Sequence, residues 1–177
     1  MRYAQMRRYD VANGVGIRTT LFVSGCHFHC KNCFNSEYWP FEYGEEYTDA
    51  EMQKFIDMGK VDNVTGYSIL GGEPMDQLSD NMLLKTVQEI KKQTGKTIWM
   101  WSGWTYENMN EKQREILKYV DVLVDGQFVD EKKNLKLLFR GSENQRIIDV
   151  QKSLKEDRAI WLDGVWERRM GSGNIYE

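Results

Sequence analysis

The chain has 177 residues, of which 41% are hydrophobic, 12% aromatic and 29% charged, and its formal net charge is −3. This composition predicts one ordered globular domain over residues 1–177 and excludes an intrinsically disordered chain. The apolar runs are too short for a membrane helix of about 20 residues, no apolar signal-peptide core stands near the N-terminus, and the basic residues are scattered, so we expect a cytoplasmic protein that binds neither membrane nor nucleic acid.

The predicted elements alternate between strands and helices along the chain. Strands are predicted at 19–25, 64–70, 97–101 and 121–126, and helices at 48–58, 80–92 and 110–119. Thr48 is a predicted N-cap, because Glu51 follows at the spacing of a capping box. Segments 136–140 and 158–162 are weaker strand candidates. Since alternation favours βαβ units and a full eight-fold barrel needs about 250 residues, we expect an α/β fold, a partial TIM-type (β/α) barrel with a mostly parallel sheet.

Two loops are predicted to share one edge of this sheet. A cysteine-rich segment follows the first strand, and Gly71-Gly72-Glu73-Pro74 follows the second. Right-handed crossovers place the carboxyl ends of parallel strands at one edge, where α/β folds hold their active sites. Ser102 follows the third strand and is expected at the same edge, either as a ligand contact or as a turn or helix-cap residue.

The three cysteines lie within eight residues, at Cys26, Cys30 and Cys33, in the spacing C-x3-C-x2-C. Clustered thiolates suit zinc or an iron–sulfur centre, and three of them leave one coordination position open, as in catalytic centres. Zinc would need His27 or His29 as the fourth ligand, and zinc sites more often pair two C-x2-C units. Three free thiols or a redox pair are the metal-free alternative.

The glycine pair has two interpretations. On its own, Gly71-Gly72 before Pro74 indicates an ordinary turn, because short glycine motifs are weak signals. Beside a cysteine loop, two glycines let the main chain approach a ligand closely. The main chain would then meet an ammonium or carboxylate group, and Glu73 would add a charge.

In this order and spacing, the motifs resemble those of the radical S-adenosylmethionine enzymes. Further segments are similar to the activating enzymes of glycyl radical enzymes, in particular to the activases of anaerobic (class III) ribonucleoside-triphosphate reductases: these are residues 13–18, 21–26, 121–128 and 140–146. The similarity runs from about Tyr9 to Val150, so residues 151–177 form a C-terminal extension without an assigned role. Two departures are Asn13-Gly14-Val15-Gly16, where the family often has Asp-Gly-Pro-Gly, and Asn32, where an aromatic residue often precedes the third cysteine.

The resemblance implies a 4Fe-4S cluster held by the three cysteines, with S-adenosylmethionine on the fourth iron. The residues that it assigns to this cofactor are Asn32, Cys33 and Phe34 near the adenine, Gly71, Gly72 and Glu73 near the ammonium, and Ser102. Chemistry is then carried by the cofactors. An electron from reduced flavodoxin or a similar donor cleaves S-adenosylmethionine to methionine and a 5′-deoxyadenosyl radical, which takes hydrogen from a glycine of the partner reductase.

Two other functions stay open on the sequence alone. One is an activase of a different glycyl radical enzyme, of the pyruvate formate-lyase type, and the other is a zinc-binding interaction module. The zinc module predicts a colourless protein and leaves Gly71–Pro74 unexplained. His27 and His29 either tune a cluster through hydrogen bonds or are solvated loop residues. Trp99 and Trp101 are predicted to pack in the core, because they share one face of a strand.

Overall fold

A computed structural model describes residues 1–163 and shows an α/β fold on one seven-stranded sheet. The strands are β1 (Arg2–Asp10), β2 (Arg18–Val23), β3 (Glu45–Glu46), β4 (Gly66–Gly71), β5 (Thr97–Ser102), β6 (Val122–Asp125) and β7 (Arg146–Asp149). The α-helices are α1 (Asp49–Met58), α2 (Met82–Thr94), α3 (Glu111–Leu117) and α4 (Val150–Glu156). None of the helices in residues 1–163 has the length and apolarity needed to cross a bilayer.

The sheet is mixed, with the strand order β3-β1-β2-β4-β5-β6-β7. Its four central strands, β2, β4, β5 and β6, run parallel, and the other pairings are antiparallel. The prediction of a mostly parallel sheet is therefore confirmed for the centre and wrong for both edges. The physical reason is the connections, since helices α1, α2 and α3 join the parallel strands, whereas no α-helix stands between β1 and β2 or between β6 and β7.

The helices begin where the sequence signals place them. The Thr48 side chain accepts a hydrogen bond from the Glu51 main chain at the start of α1. Asn110 and Gln113 form a reciprocal capping box at the start of α3, which satisfies two main-chain donors that the helix itself leaves free. The three predicted helices and four predicted strands are all confirmed, with boundaries shifted by a few residues.

The two faces of the sheet have different coverings. On the helix-covered face, the aligned and fully buried side chains of Leu21, Ile69, Met100 and Leu123 form the centre of the main core. The opposite face carries Phe22, Leu70, Trp99 and Trp101 in smaller clusters. Trp99 is buried, as predicted, and Trp101 is half-buried at the edge of a cavity. This second face is therefore the one left open for a ligand.

A buried arginine closes the end of the sheet that lies away from the cysteines. The guanidinium of Arg18 donates to the carbonyl of Tyr67 (2.6 Å), the hydroxyl of Ser68 (2.7 Å) and the carbonyl of Thr97 (3.0 Å). Burial lowers the pKa of Arg18 to about 10, which leaves it charged at neutral pH. The segment 13–18 therefore has a packing role at this edge, because its loop wraps the arginine.

Several elements differ from the sequence prediction. Residues 136–140 form no strand, and 158–162 contribute only an isolated bridge between Ile148 and Trp161. The sequence does not predict the strands β1, β3 and β7 or the helix α4. In β1 the exposed run Arg7, Arg8 and Tyr9 hides any alternation of apolar and polar residues. Of the proposed C-terminal extension, residues 164–177 lie outside the described residues.

Candidate functional site

The cysteine loop follows β2 and lies on the main chain of a neighbouring loop. The amide of Gly25 donates to the carbonyl of Tyr38 (2.8 Å), and that of Cys26 to the carbonyl of Trp39 (3.0 Å). Cys26 is buried, whereas Cys30 and Cys33 are partly exposed, and all three are free thiols. The three cysteines line one cavity of about 630 Å³. The structure therefore brings the three predicted metal ligands to one space.

The glycine loop after β4 packs directly on the cysteine loop. The amide of Gly72 donates to the carbonyl of Val23 (2.8 Å), and the amide of Glu73 donates to the carbonyl of Gly25 (2.8 Å). A Cβ atom on Gly72 would lie 2.5 Å from the Gly25 carbonyl oxygen, too close for any side chain. The predicted shared edge is confirmed, and glycine is required here because two main chains meet.

Glu73 has a fully buried carboxylate that holds two loops together. Its oxygens accept hydrogen bonds from the Ser102 hydroxyl (2.7 Å), the Gly103 amide (2.6 Å) and the Met75 amide (2.8 Å). No basic side chain of residues 1–163 forms an ion pair with it. Burial raises the pKa of Glu73 to about 7, against the opposing effect of the three donors. Ser102 also accepts from the Trp104 amide (3.1 Å), so it is a turn residue as well as a residue of the cavity wall.

Asn35 connects the third cysteine with the glycine loop. Its amide donates to the Cys33 sulfur at 3.4 Å, and its side chain donates to the carbonyl of Gly71 at 3.2 Å. Hydrogen bonds to thiolate sulfur influence the potential of an iron–sulfur centre. This residue is not predictable from the sequence, because a single asparagine near a cysteine is not a recognisable motif.

The segment predicted to meet adenine is divided by the structure. Cys33 and Phe34 line the cavity, and Phe34 is 62% exposed at its mouth, with its ring 5.6 Å from that of Phe128. Asn32 is not among the lining residues. Its main chain has a left-handed φ of 55°, and its side chain donates to Asp130 at 2.7 Å. Asn32 therefore fastens the cysteine loop to the loop after β6.

The side chains of the two histidines contact an aspartate and aromatic rings. The Nδ1 atom of His27 contacts the Asp76 carboxylate, and the ring lies 5.4 Å from that of Trp104. His29 stacks on Trp39 with ring centres 4.7 Å apart. Within residues 1–163, no three His, Cys, Asp or Glu side chains converge closely enough to hold a single metal ion. Three soft thiols spread around one cavity instead fit a cluster of several metal atoms.

The segments 121–128 and 140–146 form a second wall of the cavity. Asp125 is fully buried and accepts hydrogen bonds from Arg146 (2.9 and 2.6 Å) and from the Tyr106 amide (2.8 Å). Gln145 donates to the carbonyl of Gly126 (3.0 Å) and accepts from the Gly141 amide (2.8 Å). The carboxylates of Asp125 and Glu107 raise the pKa of Arg146. These side chains fix the loop that borders the cavity.

Comparison with known proteins identifies relatives of the whole fold. Residues 12–148 match a family described as "4Fe-4S single cluster domain". The chain is 40% identical over 150 residues to the anaerobic ribonucleoside-triphosphate reductase-activating protein of Haemophilus influenzae, and 41% identical to that of Vibrio cholerae, covering 83% of this chain and 97% of each relative. The protein of the same name from Enterobacteria phage T4 is 33% identical over 172 residues, covering 94% and 99% of the two chains.

Proposed function

Because the chain belongs to the family of anaerobic ribonucleoside-triphosphate reductase-activating proteins and has a 4Fe-4S single cluster domain, we propose that it installs the glycyl radical of such a reductase. The observation that carries this proposal is the meeting of three free thiols and a glycine loop on one cavity. The names of the relatives favour this partner over another glycyl radical enzyme. Reduced flavodoxin or a similar donor would deliver the electron, in the cytoplasm.

Cys26, Cys30 and Cys33 would hold three irons of the cluster and leave the fourth iron for S-adenosylmethionine. When bound and reduced, the cluster would supply the electron for splitting S-adenosylmethionine into methionine and a 5′-deoxyadenosyl radical, and this radical would become 5′-deoxyadenosine by taking a hydrogen atom from a reductase glycine. The protein contributes ligand position and exclusion of water. The donor set supports this role, because soft thiolates are the usual ligands of iron–sulfur clusters.

The glycine loop would bind the methionine part of the cofactor through its main chain. Gly71 and Gly72 border the cavity without side chains, and their distance from Cys26 is fixed by the hydrogen bonds to Val23 and Gly25. The Glu73 carboxylate is occupied by three donors of the protein. We therefore infer that Glu73 is a positioning residue, and that the adjacent main chain contacts the ammonium.

The rest of the cavity would enclose the adenosine and the site of hydrogen transfer. Phe22, Leu70 and Trp101 supply apolar walls from three neighbouring strands, and Phe34 supplies an exposed ring at the mouth. Apolar walls keep water away from a reactive radical, which is a requirement of this chemistry. We also infer that the sheet curves as a partial (β/α) barrel, since β2, β4, β5 and the loop after β6 surround one cavity.

The proposal is tested by anaerobic purification with iron and sulfide analysis, followed by incubation with dithionite and S-adenosylmethionine. We expect a brown protein with about four irons and four sulfides per chain, and formation of methionine and 5′-deoxyadenosine. Cys30→Ala should lose both cluster and cleavage, whereas Ser36→Ala, an exposed residue of the same loop, should retain both. A colourless protein that contains zinc and no sulfide would contradict the proposal.

A further inference from the structure

The loop between β6 and β7 crosses the open face of the cavity. We name residues 130–141 the strap. Asn134, Leu135, Leu137, Phe139 and Arg140 of this strap line the cavity. The strap is therefore in contact with the same space as the three cysteines, on the side that the helices leave uncovered.

The strap is anchored at both ends, and its middle is held by a hydrogen bond from the Asn134 amide to the carbonyl of Gly141 (3.2 Å). At its start, Asp130 accepts a hydrogen bond from Asn32 of the cysteine loop (2.7 Å). Near its end, the carbonyl of Phe139 accepts a hydrogen bond from the indole of Trp101 (2.7 Å), and Phe139 has a left-handed φ of 60°. Such a backbone conformation is costly for a bulky residue and persists only where surrounding contacts hold it. The middle of the strap is thus presented in a fixed position.

This middle section has three lysines that pair with no carboxylate of residues 1–163. They are Lys132, Lys133 and Lys136, and all three are exposed. The ammonium of Lys133 lies 4.8 Å from the ring centre of Phe34. Other lysines of the surface do have carboxylate partners, for example Lys31 with Glu131 at 3.4 Å. The strap carries four basic residues against Asp130 and Glu131, whereas the whole chain has a net charge of −3, so the positive charge is a local feature.

The cavity behind the strap has the same sign of charge. Arg7 and Arg140 line it, and Glu73 is the one carboxylate among its lining residues in the described part of the chain. That carboxylate is enclosed by Ser102, Gly103 and Met75 and faces no solvent. Several positively charged side chains around the mouth of one cavity attract an anionic partner.

The strap also exposes apolar surface between its lysines. Leu135 is 80% exposed, and Phe34, held beside Lys133, is 62% exposed. Exposed apolar side chains surrounded by charge at the mouth of a cavity are typical of protein interfaces. The partner that fits this surface has carboxylates to meet the lysines and an apolar side chain to cover Leu135.

Building on the proposed function, we propose that the strap is the docking surface for the reductase, and that it binds an acidic and apolar segment next to the reactive glycine. The glycine must enter the cavity to lose a hydrogen atom, and the strap lines that cavity. An electron donor needs only to come near the cluster and has no need to enter. The position of the strap therefore favours the reductase as its partner.

The experiment compares Lys132→Glu/Lys136→Glu with a matched control, Lys112→Glu/Lys155→Glu. The control lysines are also exposed and lie on α3 and α4. Dithionite reduces the cluster in every reaction, so that no protein donor is needed. The glycyl radical is measured by EPR as a function of reductase concentration, and S-adenosylmethionine cleavage is measured without reductase.

For the strap variant, we expect the half-saturating reductase concentration to rise about tenfold or more, with cleavage in the absence of reductase unchanged. The control should match the wild type in both assays. Leu135→Ser should raise the half-saturating concentration as well, by a smaller factor.

Equal half-saturation for strap variant and control would overturn the proposal. A parallel series with reduced flavodoxin in place of dithionite tests the donor, and a defect that appears only in that series would also overturn the proposal, since the strap would then serve the donor. A wild-type protein that forms no glycyl radical at all would overturn the proposed function itself, and the docking assignment with it.

Discussion

The buried carboxylate of Glu73 makes the stability of this protein depend on pH in a predictable direction. In the folded chain, burial raises its pKa to about 7 from the usual 4.5. Between these two values the folded protein keeps the proton, while the unfolded chain has lost it. The contribution of Glu73 to the free energy of unfolding is therefore complete below its pKa of 4.5 in the unfolded chain. It is lost as the pH rises through its folded pKa of about 7.

The size of this effect follows from the two pKa values. One pKa unit corresponds to about 1.4 kcal/mol, so the interval from 4.5 to about 7 amounts to roughly 3 kcal/mol. Glu73→Gln cannot titrate and should lack this loss. Between pH 5 and pH 8, the free energy of unfolding of the wild type should thus fall by up to about 3 kcal/mol relative to the variant.

The measurement is urea unfolding of the cluster-free wild type and variant across this pH range. Ser102→Ala serves as a second variant, because removing one donor from the carboxylate should raise the pKa of Glu73 further and extend the decline above pH 7. Glu73→Gln should also slow S-adenosylmethionine cleavage. The NH2 group of the glutamine would stand where a carboxylate oxygen accepts hydrogen bonds, and it would face donors of the protein. If the free energy of unfolding had the same pH dependence in the wild type and in Glu73→Gln, Glu73 would not be a buried group that titrates near pH 7.

Two further predictions concern the loops around the cavity. Gly72→Ala should reduce S-adenosylmethionine cleavage at least about tenfold, because its methyl group would meet the Gly25 carbonyl at 2.5 Å. The control is Gly95→Ala, at a position with a positive φ and nothing within 4 Å, which should cost about 1 kcal/mol of stability and no activity. Equal activity of the two variants would contradict this reasoning. Arg146→Met should destabilise the fold by about 3–5 kcal/mol in urea unfolding, because it leaves the fully buried Asp125 without its cation, and a change below about 1 kcal/mol would show that the ion pair is dispensable.

The central strands and the cysteine loop could be predicted because their signals are local. The strand β4 has the apolar pair Ile69-Leu70 before two glycines, and α1 begins at a capping residue. Parallel strands joined by helices then fix which loops share an edge, so the neighbourhood of the cysteine loop and the glycine loop follows from topology.

The edge strands and the strap could not be predicted, because their positions depend on distant partners. Strand β1 has the exposed run Arg7, Arg8 and Tyr9 and is held by pairing with β2 and β3. The role of Glu73 was only partly foreseen: its place at the cavity was expected, but its engagement by Ser102 depends on residues 29 positions away. Asn32 was expected near the cofactor, whereas a left-handed turn directs its side chain to Asp130.

The proposed function requires that a radical generated in this protein takes hydrogen from a glycine of the reductase. The most direct test uses a reductase labelled with deuterium at glycine, mixed anaerobically with the reduced protein and S-adenosylmethionine. We expect a glycyl radical in the EPR spectrum and one deuterium in the 5′-deoxyadenosine that is formed. Formation of 5′-deoxyadenosine without deuterium, together with a reductase that acquires no radical, would show that this protein is not the activase.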